Sequence, residues 1–286
     1  MKHKVFKQDI FRLLQGIIIG GGAILPGVSG GVLCAAFGIY MPLMQLAAHP
    51  FRELKKSWRM WLFVLAGVAV GFVGLAFGVT LLLKKSSSIA MCLFAGLVFG
   101  TLPALFREAH TGAPDTKSAN NAKAKYIAMI ISFIVGFAVF CSVKLAMNVA
   151  EFSITPNIWW YGFCGILWGM SFIVPGMTSS PILMLLGLYE PMTEGISHFD
   201  LGVILPMGIG VLAIVLTLSR VVNSIFAHFY TEAYYAVIGV VVSSTLAIIP
   251  TSYPSPLNAV ICLLCALAGI AASFIADKKL YRAEKE

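Results

Sequence analysis

The sequence predicts an all-α polytopic membrane protein built as an inverted structural repeat, each half a re-entrant helical hairpin plus three transmembrane helices. Three observations carry this prediction. The 286-residue chain is 59% hydrophobic and 11% charged, with a mean hydropathy of +0.91, where a soluble domain carries about a quarter charged residues. Two stretches, "GGGAILPGVSGGVLCAAFGIYMP" at 20–42 and "GMSFIVPGMTSSPILMLLGLYEP" at 169–191, interrupt apolar runs in the same way. Seventeen of the twenty Lys and Arg residues fall on one side of the topology that these runs imply.

In chain order, the apolar segments are 10–25 and 32–47 around the first interruption, then 61–83, 89–106 and 126–148. They continue with 158–174 and 182–192 around the second interruption, then 201–222, 233–249 and 257–276. The start, "MKHKVFKQDIFRLLQGIIIGGG", is basic and then apolar like a signal peptide. No small-x-small cleavage site follows, so it reads as a retained segment. Segments 10–25 and 182–192 are shorter than the ~20 residues a span needs. Two short helices meeting at a Pro-Gly turn make a hairpin that enters and leaves on one side, here over 10–47 and 158–192.

The shift that carries Pro26 onto Pro175 also carries Gly16, Gly20, Gly27, Gly38, Tyr40, Pro42 and His49 onto Gly165, Gly169, Gly176, Gly187, Tyr189, Pro191 and His198, and Ser29 onto Thr178. We read this register as an internal duplication with halves 1–150 and 151–286. Each half contributes one hairpin and three spans. Three is odd, so the second half is inverted, as in many secondary transporters. Both termini then face the cytoplasm, together with the basic loops around Arg52–Arg59 and Arg107–Lys125 and with Arg220. Lys84, Lys85 and Lys144 lie at the outer side.

A helix that begins at membrane depth points free N–H groups and a positive dipole end at whatever lies before it, a prepared anion site. Pro26, Gly27, Ser29, Gly30 and Gly31 form one candidate half-site. Pro175, Gly176, Thr178, Ser179 and Ser180 form the other. Glycines let backbone approach closely, and hydroxyls add donors. Irregular backbone at this depth must be buried in protein or face a wet cavity. With inverted halves, the two hairpin tips converge near the midplane. Arg220, at the cytoplasmic end of its span, is either a snorkelling topology anchor or a headgroup contact during release.

The remaining residue types point away from other chemistry. Cys262 and Cys265 form a C-x-x-C inside a span and read as small hydrophobes. The five histidines show no metal-ligand spacing. The net charge of +8 follows topology rather than a nucleic-acid surface. No cofactor is expected beyond a coupling ion, H+ or Na+, for which Glu190, Asp200, Glu151 and Glu232 are the candidate carriers. Tyr40 and Tyr189 read as interface aromatics.

At "IGGGAILPGVSGG…GIY" and "PGMTSSPILMLLGLYEPM" the sequence resembles the bacterial polyprenyl-phosphate (undecaprenyl-phosphate) transporter family, across essentially the whole chain. The resemblance implies a multi-pass protein of the bacterial inner membrane. It would return undecaprenyl phosphate, or a related polyprenyl phosphate, to the cytoplasmic leaflet for cell-envelope carrier recycling, through sites at the residues above. The second motif departs from the family's Pro-Gly-x-Ser-Gly-Ser by Thr178 and Ser179. An acidic residue follows Gly-x-Tyr at Glu190, but Met41 stands at the matching place. A polyprenyl pyrophosphate phosphatase and a transporter of a small soluble anion are the alternatives. Against the phosphatase, no Arg follows Ser29 or Thr178 and no Glu-x-x-x-Glu precedes either motif. Phosphoryl chemistry needs a cation and a placed acid or base, so the expectation is a transporter, not an enzyme.

Overall fold

The computed structural model describes residues 2–26, 33, 37, 39, 42, 50–111, 122–149, 154–174 and 177–285. The described residues form helices and connecting turns. The helices are α1 (Lys2–Ile24), α2 (Pro50–Lys85), α3 (Ser87–Thr111), α4 (Ala122–Val149), α5 (Ile158–Ile173), α6 (Ser180–Leu185), α7 (Tyr189–Ser197), α8 (Leu201–His228), α9 (Tyr230–Ile248) and α10 (Pro256–Lys285). Six of these, α2, α3, α4, α8, α9 and α10, are long and apolar enough to cross a membrane. They are the six segments assigned as spans from sequence, three before residue 150 and three after it.

The structure revises two boundaries. Helix α1 begins at Lys2, well before the apolar segment at residue 10, because the polar N-terminal stretch is still helix-competent. The segment 182–192 is not one helix. It is divided between α6 and α7 at Gly187, whose φ of +69° suits glycine. Helix α2 starts at a proline, where the missing N–H costs nothing, and changes direction at Ser57 (φ −130°, ψ 30°).

Four helix pairs carry most of the packing: α1 with α2, α5 with α8, α3 with α10, and α4 with α9. Within lipid, apolar side chains gain little by burial, so helices associate where small residues let backbones approach. A Cβ on Gly20 would overlap the Val68 backbone, and one on Gly165 would overlap that of Met207. Gly96 meets Ala266, and Gly239 meets Met129, in the same manner. Gly16 and Gly20 in α1, and their register counterparts Gly165 and Gly169 in α5, all face the first span of their own half.

The core lies around α6 and α7. Leu183, Leu188, Tyr189 and Met192 are enclosed by Ala76, Val79 and Leu83 of α2, Phe94 of α3, Leu167 of α5 and Met207 of α8. Helix α4 sits at the periphery, with 6% of its apolar window buried against 61% for α9. Each described ion pair joins residues on one side of the bundle under the topology above. Arg59 is bidentate to Asp9 (3.1 and 2.6 Å), Arg107 donates to Asp277 (2.7 Å), and Lys84 pairs with Glu194 at the opposite end.

The close approaches give a test with an internal control. Gly20→Ala should destabilise the detergent-solubilised protein by about 1–3 kcal/mol, the cost of overpacking. Gly74→Ala, on the same helix pair but facing open space, should be neutral or stabilising. Thermal unfolding of the two variants side by side makes the comparison.

Candidate functional site

The first interruption follows the end of α1. The Leu25 amide still donates to the Gly21 carbonyl (3.3 Å); the helix then stops and Pro26 is buried. Gly27, Ser29, Gly30 and Gly31 lie outside the described residues, as does Tyr40. Beyond them the chain comes back along α1. The Gln15 side chain donates to the Phe37 carbonyl (3.3 Å), and Leu33 and Ile39 pack with Ile19, Trp61 and Val64.

The second interruption is described more fully. Helix α5 starts from Asn157, whose side chain accepts from the amides of Trp159 (3.0 Å) and Trp160 (3.1 Å). It ends at Ile173, and the Val174 amide donates back to Met170 (2.8 Å). Pro175 and Gly176 lie outside the described residues, but the Met177 amide donates to the Val174 carbonyl across them (3.2 Å). Thr178 and Ser179 lead into α6, with Pro181 in its first turn.

Helix α6 closes in a Schellman motif: the Leu188 amide donates to Leu183 (2.9 Å) and the Gly187 amide to Met184 (3.1 Å). This accounts for the spacing Gly-x-Tyr. The glycine takes the left-handed cap, the next residue is buried, and Tyr189 opens α7. Helix α7 runs back until its end lines one cavity with the start of α5: Tyr161 with Glu194, His198 and Asp200. The start of α5 and the end of α7 therefore lie together at one cavity.

The two arms meet. The Tyr189 hydroxyl donates to the carbonyl of Ile24, the last residue of α1, at 2.6 Å. Tyr189 is 1% exposed, so it is no interface aromatic. In the same arm, Ser179 and Ser180 are buried at 2% and 5% exposure. The Thr178 hydroxyl oxygen is also buried, with no hydrogen-bond partner among the described residues. A buried hydroxyl in that state costs about 1–3 kcal/mol. The α6 helix has six residues, so its dipole is smaller than that of a full helix, and the hydroxyls are the stronger donors here.

The other candidates separate. Glu190 is half-buried in the first turn of α7, with no ion-pair partner among the described residues. Asp200 caps α8, accepting from the Gly202 amide (2.8 Å), which gives it a structural task. Arg220 lies on α8, and its side chain is outside the described residues, as are Glu151 and His49. Glu232 sits in the first turn of α9. Cys262 and Cys265 are free thiols. Sequence reading missed two contacts between α2 and α7: the Lys84–Glu194 pair and the buried bond from Thr80 to Thr193 (3.0 Å). Partners so far apart in the chain leave no local signal.

Comparison with known proteins adds three findings. A family model described as undecaprenyl phosphate translocase-like matches residues 2–123 and 117–258. A polyprenyl-phosphate transporter from Staphylococcus aureus (strain NCTC 8325 / PS 47) is 25% identical over 252 residues, covering 84% of this chain and 86% of the relative. No solved structure matches.

The cap at Gly187 has open space around it, so any effect of substitution there is conformational. Gly187→Ala should cost about 1–2 kcal/mol, the penalty for a left-handed L-residue, and Gly187→Asn less. Both are read from thermal unfolding.

Proposed function

The chain belongs to the undecaprenyl phosphate translocase-like family, and from that premise we propose that it moves a polyprenyl phosphate, undecaprenyl phosphate in the cell, across the bacterial inner membrane. In this reading the headgroup is held between the two interrupted motifs while the polyprenyl tail stays in lipid. The observation that carries it is the buried Thr178 hydroxyl, with no hydrogen-bond partner among the described residues, next in the chain to buried Ser179 and Ser180, in an arm whose Tyr189 bonds the end of α1. A phosphate oxygen would satisfy that hydroxyl. Each hydrogen bond to a charged acceptor contributes about 1.5–3 kcal/mol, and several offset much of the cost of taking a headgroup charge out of water.

Two inverted halves supply the movement. Support comes from the helix pairing: exchanging the first set α1, α2, α3, α4 with the second set α5, α8, α9, α10 turns each of the four main pairs into another of them. The shared cavity of Tyr161 and His198 supports a re-entrant second arm, and the Gln15–Phe37 bond supports the first. Rocking one half against the other would expose the headgroup site to each leaflet in turn. The positive-inside pattern supports cytoplasmic termini.

Transport toward the cytoplasm carries an anion against an inside-negative potential, about 2.3 kcal/mol per charge at 100 mV. We therefore couple it to H+ or Na+, with half-buried Glu190, next to Tyr189, as the carrier. Arg220 receives the headgroup on the cytoplasmic side. The phosphatase reading lacks an Arg or Lys within either motif to meet the transferring phosphate, and both the family description and the relative's name are those of transporters.

Leaflet-resolved labelling of undecaprenyl phosphate in proteoliposomes tests the reading. Active protein should move the lipid between leaflets without releasing inorganic phosphate. Thr178→Val should slow this at least tenfold while leaving the ligand-free protein as stable as the parent or up to about 1–2 kcal/mol more stable, because it removes an unpaired buried hydroxyl. Wild-type transport by this variant would remove the headgroup site. An imposed pH or sodium gradient should accelerate inward movement in the parent and not in Glu190→Gln; equal rates with and without gradients would remove coupling.

A further inference from the structure

We propose that Tyr189 is a positioning residue: its hydroxyl holds the end of α1 against the arm of the second motif, so that the two halves of the headgroup site keep one spacing. This rests on the headgroup reading above and adds to it the element that joins the half-sites.

The last carbonyls of a helix have no partner within it. At the end of α1 that deficit falls inside the bundle, since Ile24 is fully buried. Helices commonly meet it with a local cap such as the one at Gly187. Here the partner comes instead from Tyr189, in the other half of the chain, at 2.6 Å. One bond thus joins the residue two before Pro26 to the arm that carries the second motif.

The tyrosine is itself held firmly. Its backbone follows the Gly187 cap directly. Its ring packs edge-on to Phe94, with centroids 6.3 Å apart. Ring and backbone are fixed by the second half and by α3, so the hydroxyl sets where α1 ends rather than following it.

Tyr189→Phe keeps the ring and removes the hydroxyl. The test places spin labels at Ile18→Cys on α1 and Phe199→Cys beyond α7, both exposed positions, in a background without the native cysteines. It pairs the label-to-label distance distribution with affinity for farnesyl monophosphate. Tyr189→Phe should broaden the distribution and weaken binding roughly five- to tenfold, the loss of one buried hydrogen bond. An unchanged distribution overturns the latch. A broadened distribution with wild-type affinity overturns its role in positioning the headgroup site. Thr178→Val, measured alongside, reports on the headgroup reading alone: wild-type affinity in that variant removes the reading while the distance measurement still judges the latch.

Discussion

A helix that stops inside a membrane leaves carbonyls and amides where no water can bond them, and each such group costs several kcal/mol if left bare. This chain stops helices inside the bundle at Ile24, Ile173 and Leu185. Each stop is resolved differently: a tyrosine from the other half at Ile24, a bond from the Met177 amide to the Val174 carbonyl after Ile173, and a glycine cap at Gly187. The second interrupted arm, which contains two of these stops, lies in the core of the bundle. Helices α2, α3, α8 and α9 pack around it.

That burial explains the uneven exposure of the spans. Helices α4, α8 and α10 show mostly apolar side chains outward, whereas α9 is largely enclosed. Small residues mark the contacts that remain. Where Gly96 meets Ala266 and Gly239 meets Met129, a helix of one half lies backbone to backbone on a helix of the other. Where Gly20 meets Val68 and Gly165 meets Met207, the contact is within a half. Two kinds of seam, one within each half and one between halves, are the arrangement a rocking motion requires, since one can open while the other holds.

Much of this was legible in the sequence, because a membrane enforces long apolar runs and the chain shows them. The six spans appear where the runs predict them, and the recurrence of Pro-Gly, Gly-x-Tyr and paired glycines marked the arms. Local pattern did not foretell how 182–192 would divide, because the break depends on a cap geometry at Gly187 rather than on a lapse in hydrophobicity. Nor did it distinguish Tyr189 from an aromatic at the membrane edge, since its partner, the Ile24 carbonyl, is remote in the chain and carries no side-chain signature. The Lys84–Glu194 pair was hidden for the same reason: Lys84 alone looks like an outward-facing charge.

The chemistry of the proposed site follows from what the two arms lack. No Lys or Arg occurs between residues 13 and 51 or between 145 and 219, so neither motif brings a fixed cation of its own to a bound phosphate. A cationic site would bind the headgroup tightly and give it up slowly, and it would favour the charge development that phosphoryl transfer needs. Neutral donors such as the hydroxyls of Thr178, Ser179 and Ser180 compensate the charge only in part. Binding energy of that size is enough to lower the barrier to crossing and small enough to be lost again on the far side. Partial compensation is therefore what a carrier requires and what a hydrolase would find insufficient. The absence of a fixed positive charge in these arms is as informative as the hydroxyls they contain.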